Sequence, residues 1–276
     1  MPEGDSVHRL ARTLDRSLLG RTLVRTDLRV PTLATKDLAG RTITEHATHG
    51  KHLLTRLSGG LTLHSHLRMD GSWTVTRPGR RLPSRLLPDV RLIFETDLGT
   101  TAYGVLLHDL ALVETAAEDD LVGHLGPDPL RADWDAAEAV RRLRADPAVP
   151  LVSALLDQTR MAGLGNLWVN ELAFLVGRSP WTPIGELDVE RLVALAAKAL
   201  RHSALVPGAY QVTTGNTRRG ETHWVVGRQR RACLRCGTAV RMVPELPNDP
   251  AHRRTWWCPS CQPGPGPDIR VPSPRR

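Results

Sequence analysis

The sequence predicts a multidomain α+β protein, and three observations support this prediction. Short runs with a hydrophobic period of two fill the region from Arg21 to about Thr115, which is typical of a β-sandwich or barrel. Helical patterns dominate beyond a Gly/Pro-rich break at Gly126–Pro129. All four cysteines of the chain lie between positions 233 and 261, where their spacing predicts a metal-stabilised segment.

The hydrophobic periodicity places the individual elements. An amphipathic helix opens the chain and ends at Gly20, because apolar residues recur at helical spacing: Val7, Leu10, Ala11, Leu14 and Leu18. The strand-like runs are Thr22–Val30, Thr42–Thr48, His52–Leu57, Leu61–His66, Ser72–Thr76 and Arg91–Glu95. The later helices are predicted at about Ala136–Ala145, Leu151–Gln158, Leu167–Val176 and Asp188–Ser203.

The Gly/Pro-rich break also sets the predicted domain boundaries. We expect an N-terminal β domain over residues 1–125, a helical domain over 126–210 and a cysteine-bearing segment over 211–262. The Pro/Gly-rich tail, residues 263–276, is expected to be disordered. The sequence has no apolar leader and no run long enough to span a membrane, so we expect no membrane association.

The cysteines form two CxxC pairs, Cys233 with Cys236 and Cys258 with Cys261, separated by 21 residues. Two such pairs supply the tetrahedral sulfur shell that zinc prefers. Disulfides are the alternative, but nothing in the sequence indicates secretion, and a redox CxxC would need one pair only. We therefore expect one structural zinc ion.

The charge of the chain indicates a polyanionic partner. The net charge is +8, and the stretch from Arg218 to Arg254 holds nine arginines against three acidic residues. Arginine side chains bind phosphate oxygens in pairs and displace counterions from a duplex. A solvated basic surface is the alternative, but the coupling to a zinc segment favours binding to nucleic acid.

The N-terminus carries the first candidate for catalysis. Methionine before proline is normally removed, which would leave Pro2 with a free secondary amine. An α-amine titrates near pH 8, roughly two units below lysine, and is therefore nucleophilic at neutral pH. Glu3 is placed next to this amine to transfer protons. Many proteins begin in the same way, so an unremarkable start is the alternative.

Two loops supply further candidates. Gly163-Leu164-Gly165-Asn166, between two predicted helices, lets a phosphate approach the backbone and a helix N-terminus, and the Asn166 amide can donate to an oxygen. A plain helix–turn–helix corner is the alternative. Lys51 lies in a predicted hairpin turn after Gly50, where it can reach a phosphate or remain a solvated turn lysine.

Together and in this order, these features resemble the formamidopyrimidine-DNA glycosylase/endonuclease VIII family of base-excision repair enzymes. The resemblance runs from Pro2 to about Gln262. Its most specific pieces are Pro2-Glu3-Gly4, Gly50-Lys51, Leu155-Leu156-Asp157-Gln158, Met161-Ala162-Gly163-Leu164-Gly165-Asn166 and the stretch from Arg253 through Cys258-Pro259-Ser260-Cys261-Gln262. It implies an N-terminal β-sandwich flanked by helices, a helix–two-turns–helix domain and a C-terminal zinc finger.

The resemblance also implies roles for individual residues. Pro2 would be the nucleophile that forms a Schiff base with the sugar of the damaged nucleotide, and Glu3 the proton donor to that sugar. Lys51 would contact a phosphate and assist catalysis, while Asn166 and Arg253 would clamp phosphates around the flipped nucleotide. The Schiff base then permits β,δ-elimination at the abasic site.

Family members extrude the damaged base, so a side chain must fill the gap left in the stack. Met69 matches the position of such a filling residue. The partner implied is damaged double-stranded DNA, bound by a monomer without a small-molecule cofactor, in the cytoplasm and associated with the nucleoid.

The start Pro-Glu-Gly-Asp resembles the endonuclease VIII branch more than the Pro-Glu-Leu-Pro of the formamidopyrimidine branch. The Arg-Arg-Phe-Gly stretch of the latter has no match, and Ala102-Tyr103-Gly104 is the nearest candidate. We therefore favour oxidised pyrimidines as substrates, with oxidised purines and abasic sites as alternatives.

Rival hypotheses come from other classes of protein. A non-catalytic or abasic-site-only DNA-binding member would keep the basic segment without needing Pro2, Glu3 and Lys51 together, and a zinc module could serve protein contacts instead. Five histidines fall on neighbouring predicted strands, and we expect a polar surface there rather than a second metal site: His46, His49, His52, His64 and His66.

Overall fold

A computed structural model describes residues 2–244 and 253–267 of the chain. The chain forms two compact units, Met1–Ala132 and Asp133–Arg276. The division falls after Ala132 rather than after residue 125, and the helical and cysteine-bearing segments form one unit. Among the described residues, no helix has the length and apolar character needed to cross a membrane.

The first unit begins with helix α1 (Gly4–Leu18), whose apolar stripe is fully or almost fully buried at Val7, Ala11, Leu14 and Leu18. Eight strands follow, and all the predicted runs are among them. They are β1 (Leu23–Leu28), β2 (Ile43–His49), β3 (His52–Leu57), β4 (Leu61–His66), β5 (Ser72–Thr76), β6 (Val90–Thr96), β7 (Thr101–Val105) and β8 (Asp109–Glu114).

These strands form two antiparallel four-stranded sheets, with the orders β1-β6-β7-β5 and β2-β3-β4-β8. Leu28 and Phe94 from the first sheet share one hydrophobic core with Leu53 and Leu63 from the second and with Leu14 of α1. The predicted β-sandwich flanked by a helix is therefore confirmed. A short helix, α2 (Asp119–Val122), follows the last strand.

Within the described residues, the second unit contains four further α-helices: α3 (Ala136–Arg144), α4 (Leu151–Leu156), α5 (Asn166–Leu175) and α6 (Val189–Leu205). Their core includes Leu155, Leu164, Leu172 and Leu200. Helices α3 and α6 begin at aspartate N-caps, because Asp135 accepts from the Glu138 amide at 3.0 Å and Asp188 from the Arg191 amide at 2.9 Å. Residues 157–165, which include the glycine-rich loop, connect α4 to α5 without helix or strand.

The unit ends in a small antiparallel hairpin of β9 (Arg241–Val243) and β10 (Thr255–Trp257). Beyond it, residues 263–267 are ordered, which corrects the expectation of a disordered tail for that stretch. The Ser179 amide donates to the Pro263 carbonyl at 3.2 Å, and the Ser179 hydroxyl donates to the Pro265 carbonyl at 2.5 Å. Residues 268–276, also expected to be disordered, lie outside the described residues.

Candidate active-site and DNA-contact residues

Pro2 and Glu3 lie at the N-terminus of α1. Glu3 is the N-cap residue, its backbone amide donates to Ser6 Oγ at 3.2 Å, and its side chain is completely buried. Pro2 is half-buried. The positive end of the helix dipole stabilises a carboxylate at this position, beside Pro2. The arrangement places a buried carboxyl group next to Pro2, as the predicted roles of the two residues require.

Lys51 lies in the turn between β2 and β3, and a buried carboxylate holds that turn. Asp128 is only 2% exposed. Its Oδ2 accepts from the Gly50 amide at 2.7 Å and its Oδ1 from the Leu130 amide at 2.8 Å. Gly50 has a φ of +56°, which glycine adopts readily. The Gly/Pro-rich stretch, at which the sequence predicted the domain boundary, is therefore part of the first unit.

Burial raises the pKa of Asp128, and the amides of Leu130 and Gly50 partly oppose the rise because they stabilise the charged form. The same stretch makes a second contact, since His49 Nε2 lies 3.0 Å from the Gly126 carbonyl oxygen. Two contacts thus fix the backbone of the two residues directly before Lys51.

Three of the predicted strand histidines form a cluster behind Lys51. His52 Nδ1 and His64 Nε2 are 2.8 Å apart, and the rings of His52 and His66 meet edge to face at 4.8 Å. Burial, followed by the charges of neighbouring histidines, lowers the pKa of His52 to about 3. Burial lowers the pKa of His66 to about 4. The cluster is therefore uncharged at neutral pH, and it forms a polar hydrogen-bonded group.

Met69 lies in the turn between β4 and β5 with its side chain 58% exposed. The preceding Arg68 has a φ of +52° and pairs with Asp109, which anchors the base of the turn. This pairing lowers the pKa of Asp109. The methionine is thus an exposed apolar side chain on an anchored turn, as a stack-filling role requires.

Asn166 begins α5 and is largely buried. Its Nδ2 donates to the Arg254 carbonyl at 2.9 Å, so the amide that sequence reasoning offered to a phosphate has a protein partner. The loop before it is fixed by Gln158, whose Oε1 accepts from the Gly163 amide at 3.1 Å and whose Nε2 donates to the Leu164 carbonyl at 2.9 Å. This contact explains why the glutamine and the glycine-rich loop occur together.

Arg253 is half-buried and lies two residues before β10, next to Arg254, whose carbonyl accepts from Asn166. A second asparagine joins the same elements. Asn170 is fully buried, its Nδ2 donates to the Asn166 carbonyl at 2.7 Å, and its Oδ1 accepts from the Trp256 amide at 2.8 Å. The start of α5 and the segment that carries Arg253 are therefore fastened together within the second unit.

The four cysteine sulfurs all lie within 4.8 Å of one another, and none forms a disulfide. Within residues 2–244 and 253–267, they are the one group of three or more potential ligands whose donor atoms converge in this way. Four thiolates at this separation fit a tetrahedral metal ion. Gln262 fixes the second pair, because its Oε1 accepts from the Cys258 amide at 2.9 Å and its Nε2 donates to the Arg178 carbonyl at 3.2 Å.

Sequence reasoning missed three buried polar residues: Asp128, Asn170 and Glu171. Glu171 is fully buried on α5, and its carboxylate accepts from the amides of Trp224 at 2.8 Å and of Val225 and Val226 at 2.9 Å. The sequence signal for Asn170 and Glu171 was an Asn-Glu pair inside an otherwise apolar helix. Such a pair indicates contacts with other elements, because buried polar groups require partners.

Comparison with known proteins identifies the family. Residues 1–108 match the formamidopyrimidine-DNA glycosylase N-terminal domain. The chain is 50% identical to the probable endonuclease 8 2 of Streptomyces coelicolor, over 97% of this chain and 96% of that protein. It is 41% identical to the DNA-(apurinic or apyrimidinic site) lyase Nei2 of Mycolicibacterium smegmatis, over 95% and 99% of the two chains.

A solved structure shares the fold. The formamidopyrimidine-DNA glycosylase of Lactococcus lactis, in complex with DNA containing N7-benzyl-Fapy-dG, superposes with a TM-score of 0.76 at 24% identity, covering 95% of this chain and 100% of that one. At this identity the likeness shows the fold alone, whereas the two full-length relatives carry the assignment. The chain therefore belongs to the formamidopyrimidine-DNA glycosylase/endonuclease 8 family, on its endonuclease 8 branch.

Proposed function

We propose that this chain, which its family makes a DNA glycosylase and abasic-site lyase of base-excision repair, removes oxidised pyrimidines and then cleaves the abasic site by β,δ-elimination. Pro2 is the nucleophile in this proposal. The observation that carries it is the placement of the fully buried Glu3 carboxylate next to Pro2 at the N-terminus of α1.

The steps follow from the chemistry of a secondary amine. The Pro2 nitrogen attacks C1′ of the damaged nucleotide and loses its proton, and the bond from C1′ to the base breaks, with the base taking the electron pair and that proton. Glu3 delivers a proton to O4′ as the sugar ring opens, which leaves an iminium ion on Pro2. The iminium acidifies C2′, so that loss of a proton expels the 3′ phosphate, and a second elimination expels the 5′ phosphate.

Lys51 contacts a phosphate beside the lesion and assists these steps, and Asp128 holds its turn. In the second unit, Asn166 and Arg253 bind phosphates around the flipped nucleotide. The Asn166 contact to the Arg254 carbonyl supports a shared role, because it joins the glycine-rich loop to the segment of Arg253. Met69 fills the space that the extruded nucleotide leaves.

The metal at the four cysteines is proposed to be a single structural zinc ion, since four thiolates and a tight CxxC pair on each side are typical of such sites. Bound zinc fixes the hairpin that carries Arg253 and takes part in no step. The protein acts on damaged double-stranded DNA as a monomer, without a small-molecule cofactor, in the cytoplasm and associated with the nucleoid.

An incision assay on two duplexes tests the substrate assignment. One duplex carries an oxidised pyrimidine and the other a preformed abasic site, both labelled at the 5′ end. We expect incision of both, with products that end in phosphate on each side of the gap. A third duplex with an oxidised purine is added for comparison, and its incision in preference to the pyrimidine duplex would contradict the assignment.

A second candidate is a lyase that cleaves abasic sites without removing bases. The name of the 41% identical relative, an apurinic or apyrimidinic site lyase, favours it. The same assay separates the two functions, because this candidate incises the abasic duplex and leaves the oxidised one intact. A non-catalytic family member would incise neither.

A further inference from the structure

A cavity of about 560 Å³ in the second unit is surrounded by positive charge. Arg219, Arg228 and Arg231 line it together with Gly220 and His223, and we refer to it as the arginine cavity. It lies in the loop between α6 and the cysteine segment. No residue assigned above to catalysis, phosphate binding or metal binding contributes to it.

Arg228 is the buried base of the arginine cavity, with 6% of its surface exposed. Its Nη1 donates to the Gly220 carbonyl, its Nη2 donates to the Ala232 carbonyl at 2.9 Å, and its buried Nε has no hydrogen-bond partner. Neutral carbonyls satisfy hydrogen bonds but do not neutralise the charge. A buried cation without an anion is costly, so an anionic ligand would stabilise this arrangement.

Arg231 adds a second guanidinium to the same backbone. Its Nη1 would lie 3.0 Å from a Cβ atom placed on Gly220, and Gly220 has a φ of +82°. A larger residue at this position would be strained and would crowd the guanidinium. Glycine therefore leaves room for the Arg231 guanidinium beside the residue whose carbonyl Arg228 contacts, although the two charges repel each other.

None of the three arginines of the cavity forms an ion pair with a carboxylate in the part of the chain that the structure describes. Arg219 and Arg231 are exposed, so both guanidinium groups are accessible from solvent. His223 is held in place, since its Nε2 lies 2.9 Å from the Gln211 carbonyl oxygen. The site thus offers three fixed or accessible cations and a polar ring.

We propose that the arginine cavity binds a phosphodiester group of DNA, in addition to the phosphates assigned to Asn166 and Arg253. Guanidinium groups match the paired non-bridging oxygens of a phosphate in geometry. The three arginines together carry more positive charge than one carboxylate would neutralise. This proposal rests on the proposed function only in that the ligand is DNA. The contact extends the DNA footprint without reading sequence, because it engages the backbone alone.

The salt dependence of DNA binding tests the proposal in the full-length, zinc-loaded protein. The cavity variant is Arg219→Gln with Arg231→Gln, and the matched control is Arg218→Gln with Arg230→Gln. The control removes the same charge from exposed neighbours that do not line the cavity. Binding to a duplex with a stable abasic-site analogue is measured over a range of salt concentrations. Circular dichroism verifies that both variants fold.

The slope of log K against log salt is negative, and one phosphate contact contributes roughly −0.9 to it. We therefore expect the slope of the cavity variant to be less negative than that of the control by about one. Equal slopes in the two variants would overturn the proposal. If slopes are equal and inorganic phosphate raises the thermal midpoint of the wild type but not of the cavity variant, the cavity binds free phosphate and the DNA assignment is wrong.

Failure of the catalytic proposal has a different signature. If the lyase proposal is wrong, the wild type gives no borohydride-trapped adduct. The salt dependence of DNA binding can still be measured in that case. The cavity variant should still give the adduct at low salt.

Discussion

Asp128 Oδ2 accepts a hydrogen bond of 2.7 Å from the amide of Gly50, 78 residues earlier in the chain. The bond joins the Gly/Pro-rich stretch, where the sequence predicts a domain boundary, to the turn that carries Lys51. Because the carboxylate is buried and also accepts from the Leu130 amide, it determines where the turn lies. The position of Lys51, whose catalytic role is a prediction, therefore depends on a residue outside the strands of the β-sandwich.

Replacing Asp128 with alanine should impair the lyase reaction without abolishing it. Two buried amides lose their acceptor, which costs about 1–3 kcal/mol for each unsatisfied group, and the turn that holds Lys51 loosens. We expect a slower single-turnover rate on abasic DNA and a lower unfolding midpoint. Asp97→Ala, which removes an exposed carboxylate of the same unit, is the control. An unchanged single-turnover rate in a folded Asp128→Ala variant would contradict the positioning role.

Glu3→Gln should separate binding from chemistry. The substitution keeps the shape of the buried side chain but removes the proton that O4′ receives, and loss of general acid–base catalysis typically costs about 10²–10⁴-fold in rate. Incision should fall by about that factor, while affinity for an abasic-site analogue changes little. A variant that bound normally and incised at the wild-type rate would exclude Glu3 as the proton donor.

Removal of the metal should disable the second unit selectively. Structural zinc sites contribute much of the folding free energy of their segment, on the order of 10 kcal/mol. Elemental analysis should find one zinc ion per chain, and chelation or Cys258→Ser should abolish DNA binding while the β-sheet circular dichroism signal of the first unit remains. A metal-free protein that retained full affinity would show that the cysteine site does not position Arg253.

Asn170 should act on DNA binding through the segment of Arg253. Asn170→Leu removes the bonds to Asn166 and Trp256 from a buried position, and we expect weaker binding together with lower stability. In an Arg253→Ala background, Asn170→Leu should weaken DNA binding less, because Asn170 then no longer positions an arginine that binds DNA. Fully additive losses would indicate that Asn170 is important for folding alone.

The histidine cluster predicts a pH dependence of stability. The folded pKa values of about 3 for His52 and about 4 for His66 lie below the ordinary value of 6.5, so the unfolded chain binds more protons. Stability is therefore fully present above pH 6.5 and is lost progressively as the pH falls toward 4. The thermal midpoint should decrease over that range, and His52→Gln should make the decrease shallower. The same decrease in both proteins would contradict this origin.

Several elements could be predicted from the sequence for clear physical reasons. The runs at β3, β4 and β5 alternate between faces or are flanked by turn residues, and their bounds match the prediction. Strands β7 and β8 were not predicted. Strand β7 contains Gly104, where a Cβ would lie 2.4 Å from Leu107, so the close packing of Leu107 leaves no room for a side chain that would show a strand pattern. Strand β8 has intermediate burial at five of its six positions, and it therefore lacks an alternating pattern.

The candidate site divides in the same way. The cysteines and Gly163-Leu164-Gly165-Asn166 carry local spacing that a sequence displays directly. Asp128 contacts Gly50 and Asn170 contacts Trp256, each across a long separation in sequence, and only the fold brings these partners together. The roles of Pro2, Glu3, Lys51, Met69, Asn166 and Arg253 remain predictions that activity measurements must test.

The most direct test of the account is to locate the covalent bond to DNA. The protein, with removal of Met1 verified by mass spectrometry, is incubated with an abasic-site duplex and sodium borohydride, and the trapped adduct is digested and sequenced. We predict that the sugar remnant is attached to the nitrogen of Pro2, and that Pro2→Gly changes the yield but not the position. An adduct on Lys51 or on any other lysine would contradict the central claim.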